Sequence, residues 1–352
     1  MKRLDMTRMT TAFLTGIVAM AILIGCSEDS QAPRQSGEVV IYTSVDEIFA
    51  RPVAEQFEKE TGIRVRLVPD TEETKSTGLL NRLIAEKDRP VADVFWSGDP
   101  VRAAILKDKG VSASYRPPTA AGLPTRYSDP EHHWIGFSAR ARVLIYNTQL
   151  VSEDRKPASV MDLLDDRFKG RACIANPLFG TTSMHAAALF SVLGEAAAKQ
   201  FFEGFIANGG KILSSNGEVR RRTATGECAV GLTDTDDFNV ARTEGKPVRA
   251  VYPDATGMGT LIIPNSAVLI ARAPHADAGK QFIDYLLHDE TERRLAESEA
   301  AQMPVRPGVP VPPHVVPLEQ LSPMAVDYAQ LAPLQESLSR GYLKQWVDRN
   351  LR

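Results

Sequence analysis

Residues 39–108 alternate short apolar runs with amphipathic segments, and this alternation constrains the fold more than any other feature of the chain. Val39-Val40-Ile41-Tyr42-Thr43 is a continuous β-branched and aromatic run, the pattern of a buried strand. A helix is predicted after it, with Val53 and Phe57 one turn apart, Pro52 in its first turn and Thr61-Gly62 as its stop. Residues 63–68 read as a second strand, 79–87 as a second helix and 92–96 as a third strand, and Ser97-Gly98-Asp99-Pro100 opens a third helix. Strands alternating with helices imply parallel strands and crossover helices, hence an α/β open sheet.

A second set of the same kind follows. Residues 134–147 read as a long extended segment crossing between domains, 159–164 as a short helix and 170–175 as a strand. Asn176 to Ser183 is a glycine-containing turn feeding a helix over 184–193. Next come a short strand at 211–213, a helix from Asn216 to Gly226, and a strand over 228–232 that runs into Thr233-Asp234-Thr235-Asp236-Asp237. Residues 260–271 are β-like, and 276–287 and 325–350 are predicted to be helical.

The first 25 residues are a different material. Lys2, Arg3 and Arg8 precede Thr11 to Gly25, an uncharged run of 15 residues. That is short of the roughly 20 residues that span a bilayer, but right for the apolar core of a signal peptide. Leu23-Ile24-Gly25-Cys26 resembles the lipobox of bacterial lipoproteins, in which the cysteine takes a diacylglycerol. The expectation is a signal peptide over 1–25, lipidation at Cys26 and a polar tether over 26–37. The chain would then sit at the periplasmic face of a bacterial membrane, held by lipid only.

Charge and motif content exclude several classes. Lys and Arg number 41 against 44 Asp and Glu, a net charge of -3, so no basic excess draws the chain to nucleic acid. There is no G-x-S-x-G elbow, no phosphate loop ending in G-K-[ST] and no H-E-x-x-H, so enzyme readings have no anchor. Cys173 and Cys228 both lie in apolar runs. Export permits a disulfide between them, and two buried thiols is the alternative.

Two α/β units joined by a crossing segment, in an exported chain, is the layout of a solute-binding protein. The segments VVIYTSVDEIFARPVAEQFEKETGIRVRLV, ADVFWSGDPVRAAIL, SARARVLIYNT, GRACIANPLFGTTS and SSNGEVRRRTATGECAVGLTDTDDFNVAR resemble, in order and spacing, the periplasmic iron(III)-binding proteins of bacterial ABC transporters. The resemblance covers essentially all of residues 38–305. It implies a two-domain periplasmic binding protein type II fold, with two open sheets, a hinge and an interdomain cleft. Domain 1 would comprise 38–142 with about 263–305, and domain 2 143–262 with about 306–352. It also implies a monomeric, non-enzymatic partner of an ABC permease that carries iron(III) with a bound small anion. The family's usual cation ligands are replaced. Its first-loop histidine falls near Asp46, with Glu47 beside it. Its glutamate falls on Gly98, with Asp99 next, and its two adjacent tyrosines fall on Asp236 and Asp237. The family's anion turn is kept as Gly180-Thr181-Thr182-Ser183, and Asn216 lies close to its anion-binding asparagine.

The residues also speak for themselves. Asp234, Asp236 and Asp237 crowd three carboxylates at a strand's carboxyl end, with Asp46, Glu47 and Asp99 on other strand-end loops. Such carboxylates repel one another until a cation neutralises them, and their hard oxygens suit a hard cation. Gly180 to Ser183 put hydroxyls and unpaired amides at a helix start, a ready anion pocket. Arg220-Arg221-Arg222 is read as a solvated face and His132-His133 as loop surface. Arg140 and Arg142 alternate on the crossing segment, so one of its faces could reach the cleft. The leading expectation is a transport lipoprotein for iron(III) or another hard cation with a companion anion. The alternative is a small organic anion carrying an amine, such as an aminoalkylphosphonate. A third class is an exported hydrolase using paired carboxylates.

Overall fold

The computed structural model describes residues 37–70 and 77–351. Cys26, the expected signal peptide and nearly all of the tether lie outside the described residues.

In β1 (Glu38–Thr43), every residue from Val39 onward is buried, which is why the run is apolar without alternation. It is followed by α1 (Glu47–Thr61), β2 (Arg64–Pro69), α2 (Thr77–Ala85), β3 (Val94–Ser97), α3 (Pro100–Asp108) and the short β4 (Ser112–Ala113). The long β5 (Ile135–Asn147) leads to β6 (Ala172–Ala175), α4 (Gly180–Leu193), α5 (Glu195–Ala207), β7 (Lys211–Leu213), α6 (Asn216–Ala224), β8 (Val230–Asp234) and α7 (Thr235–Thr243). The chain closes with β9 (Val248–Val251), β10 (Ile262–Ile270), α8 (Ala276–Leu286), α9 (Asp289–Glu297), α10 (Tyr328–Arg340) and α11 (Tyr342–Asn350).

The strands run in the order β2-β1-β3-β10-β5-β8-β6-β7. β1 pairs in parallel with β2 and β3, and β6 pairs in parallel with β7 and β8, so each lobe has the expected crossover core. The lobes share β5. Its residues up to Ala141 pair with β10, and from Arg142 onward it pairs with β8 and β9. All 13 residues of β5 are buried.

Three local expectations are corrected. α1 begins at Glu47, so Pro52 stands inside the helix rather than in its first turn. Its missing amide is tolerated on a solvent face, where Ile48, one turn earlier, is 65% exposed. The helix expected from Met184 begins at Gly180, so the glycine-hydroxyl turn is itself the first helical turn. The single helix expected over 325–350 is two, broken at Gly341.

Cys173 on β6 and Cys228 just before β8 sit on neighbouring parallel strands with Cα atoms 6.1 Å apart, and they form a disulfide. This decides between the two cysteine readings. Among the described residues, no helix is long and apolar enough to cross a membrane.

Candidate ligand cleft

The carboxyl ends of β1, β3, β6, β7 and β8 point into one cleft, as expected for ligand sites of open α/β sheets. Its walls include Ser44 and Asp46 after β1, Gly98 after β3, Gly180, Thr181 and Thr182 after β6, Ser214 to Gly217 after β7, and Asp234, Asp236 and Asp237 at the end of β8. The free space within the cleft is about 40 Å³. That is room for roughly three waters or a small ion and its partner.

The acidic wall is dense, with Asp234 and Asp236 buried and Asp237 partly so. Oxygens of Asp234, Asp236 and Asp237 lie within 4.8 Å of one another. Two arginines of β5 meet them. Arg142 is fully buried and donates to Oδ1 of Asp234 at 2.7 Å. Arg140 donates through Nη1 to Oδ2 of Asp234 and to Oδ2 of Asp236, each at 3.3 Å, and through Nη2 to the carbonyl of Gly98 in the other lobe. Burial alone would raise the pKa of Asp234, but Arg142 and Arg140 hold its carboxyl below the usual range. Among the described residues no arginine pairs with Asp237, which accepts from Thr233 Oγ1 at 2.8 Å. Its burial, together with the charges of Asp236 and Asp234, pushes it up to about 8.

Arg142 is saturated by protein acceptors. Nε donates to Nδ1 of His185 at 3.4 Å. Nη1 reaches Thr181 Oγ1 at 3.0 Å, Asn216 Oδ1 at 3.2 Å and Asp234, while Nη2 reaches Thr182 Oγ1 at 3.2 Å and the carbonyl of Leu232 at 3.3 Å. His185 can accept because burial, reinforced by Arg142, drops its pKa to about 3 and keeps the ring neutral. Thr181 in turn donates to Asp234 Oδ2 at 2.7 Å, and Thr182 donates to Asn216 Oδ1 at 3.1 Å. The hydroxyls of the glycine-hydroxyl turn are therefore engaged within the protein. What remains for an anion is the backbone. α4 has no side-chain cap, and its leading amides have no intrahelical acceptor. Gly180 supplies the positive φ of 54° at which the turn enters the helix.

The structure brings together most of the expected site residues: Asp46, Asp234, Asp236, Asp237, Gly180, Thr181, Thr182 and Asn216 all line the cleft. Three expected residues are placed elsewhere. Glu47 is exposed and pairs with Arg51 one turn along α1. Asp99 is buried and caps α3, accepting from the amide of Arg102 at 2.9 Å. Ser183 turns away to accept from Arg102 Nη2 at 2.9 Å and Gln335 at 3.1 Å. Of the remaining basic groups, Arg221 and Arg222 pair with Glu218 on the exposed face of α6. His133 bonds Ser112 at 2.8 Å. Arg140 lines the cleft between the lobes, a position that its i, i+2 spacing with Arg142 signalled without deciding.

Comparison with known proteins agrees with this geometry. "Iron uptake protein A1" of Synechocystis sp. is 25% identical over 319 residues, covering 86% of each chain. "Putative 2-aminoethylphosphonate-binding periplasmic protein" of Salmonella typhimurium is 28% identical over 294 residues, covering 80% of this chain and 82% of the relative. The crystal structure of iron-bound HitA from Pseudomonas aeruginosa superposes with a TM-score of 0.78 at 25% identity, over 86% of this chain and 98% of that one. The sequence model of one family, whose members are described as bacterial extracellular solute-binding proteins, matches residues 53–320. This chain, with its shared crossing strand and its cleft at the strand ends, belongs to the bacterial extracellular solute-binding protein family.

Proposed function

We propose that the chain is the binding subunit of an ABC importer, and that its cleft takes a hard cation of the ferric-iron class together with a small anion. The observation that carries this reading is the triad Asp234, Asp236 and Asp237, the first two buried and the third partly so, with oxygens within 4.8 Å of one another, set in the same cleft as the uncapped start of α4. Hard carboxylate oxygens suit a hard cation, and helix-start amides suit the anion that completes its coordination. The iron-uptake relative and the iron-bound neighbour support the same class. Cys26 would carry the lipid, the closed cleft would be presented to the permease, and the chain would act as a monomer. The change of partners along β5 supports a domain boundary near residue 142.

A second reading rests on a specific observation. Arg140 and Arg142 already offset part of the acidic wall, which leaves a charge suited to one ammonium rather than a trivalent ion. An aminoalkylphosphonate would place its amine there and its phosphonate on the amides of α4, and the Salmonella relative supports that ligand class. Metal analysis of the purified chain, with melting curves against Fe(III) plus phosphate and against 2-aminoethylphosphonate, separates the two. Stabilisation by the phosphonate alone would displace the cation reading.

A further inference from the structure

The two arginines of the crossing strand stand in different relations to the cleft. Arg142 has 0% exposure, makes its carboxylate contact at 2.7 Å, and spends all three guanidinium nitrogens on protein acceptors. Arg140 is 8% exposed, lines the cleft and reaches both of its carboxylates only at 3.3 Å. Its Nε is buried without a hydrogen-bond partner. A Cβ at Gly98 would stand 3.0 Å from its Nη2, so the guanidinium occupies ground that any side chain at position 98 would contest. One arginine is built in; the other is parked.

We propose that Arg140 is a tethered stand-in for the positive part of the ligand, neutralising Asp234 and Asp236 while the cleft is empty and giving way when the ligand's own cation arrives. This rests on the functional reading above and adds a specificity device to it. Three carboxylates crowded within 4.8 Å and largely withdrawn from solvent are costly without positive charge, so the ligand-free protein needs a local cation. A permanently saturated arginine would block the site, whereas one held by two long contacts and a carbonyl can be exchanged. Exchange for a single ammonium keeps the charge of the acidic wall nearly constant, and a ferric ion does so only together with its companion anion. It also sets a threshold: a ligand must interact with Asp236 more strongly than the guanidinium does, and weakly charged or neutral solutes do not.

Arg140→Gln tests this without and with ligand. In the ligand-free protein the variant should melt lower than the wild type, and adding Asp236→Asn should recover most of the loss, because the substitution removes the charge that Arg140 neutralised. No recovery overturns the counter-charge role. In calorimetry with Fe(III) supplied as its nitrilotriacetate in phosphate, and separately with 2-aminoethylphosphonate, the ligand that binds the wild type should bind Arg140→Gln at least roughly tenfold more tightly. Should that variant fail to fold, Gly98→Ala crowds Nη2 while keeping the charge, and should shift affinity in the same direction by less. Binding to the wild type with no gain in either variant overturns the exchange but leaves the functional reading standing. Silence of both ligands in every protein overturns the functional reading and the exchange with it.

Discussion

Arg142 and Asp234 face one another across the β5–β8 pair, and their side chains meet at 2.7 Å almost out of reach of solvent. The pair does more than cancel charge. Through it Thr181, Thr182 and Asn216 are tied to β5, so the start of α4 and the start of α6 are held at fixed positions around the cleft.

Breaking that pair should be expensive. Removing one partner of a buried, hydrogen-bonded ion pair leaves the other charge stranded, at a cost of about 3–5 kcal/mol. Arg142→Gln and Asp234→Asn should each lower the unfolding free energy of the ligand-free protein by that order in urea denaturation. A loss comparable to a surface pair, under about 1 kcal/mol, would show that the contact does not organise the cleft.

Asp237 should give the ligand-free protein an unusual pH dependence. Its folded pKa of about 8 lies above the value near 3.9 expected of an unfolded aspartate. Between those values the folded state holds a proton that the unfolded state has released. The group's contribution is therefore intact below about pH 4 and is lost as pH rises through about 8. Asp237→Asn should flatten this slope and raise the melting temperature more at pH 8 than at pH 5. Equal shifts at both would contradict the assignment.

Cation binding should depend on the triad and not on its exposed neighbour. Asp236→Asn combined with Asp237→Asn should abolish binding of Fe(III) with phosphate. Glu47→Gln should leave it unchanged, because Glu47 stands on the outer face of α1 beside Arg51. Calorimetry on the two variants decides; full affinity in the double variant would remove the triad from the site.

Thr181→Val should act on stability first. The hydroxyl accepts from Arg142 and Asn216 and donates to Asp234, so its loss leaves buried polar groups unsatisfied at a cost of about 1–3 kcal/mol. A variant with unchanged stability but weakened phosphate-dependent binding would instead place the hydroxyl on the ligand.

The Cys173–Cys228 disulfide closes a separation of 55 residues. Loop entropy assigns such a closure up to about 4 kcal/mol. Urea midpoints with and without reductant should differ by a stability of that order, and the double serine variant should match the reduced protein.

Much of the fold was legible in the sequence because burial on both faces of a parallel strand is written in contiguous residues. Val39 to Thr43 needed no partner to be recognised, nor did the strand-end positions of Asp46, Gly98 and Asp234. α5 was not anticipated, although Ala198, Phe201, Phe202 and Phe205 fall at helical spacing on its buried face. The break between α10 and α11 was harder to see, since Gly341 sits in an otherwise continuous helical pattern.

The site divides along a different line. Its chemical inventory, a carboxylate cluster and a glycine-hydroxyl helix start, is a local property, so the sequence by itself determined which groups a ligand would meet. Their availability was decided only by tertiary structure. Asp234 is 92 residues from Arg142, and Ser183 is 81 from Arg102; those pairings fix Asp234 in place on the cleft wall and turn the Ser183 hydroxyl away from it. Asp99 was diverted by its own helix, and Glu47 by a helix that starts five residues before Pro52. Side-chain chemistry travels with the residue, whereas partnership depends on which strand ends the two sheets bring face to face.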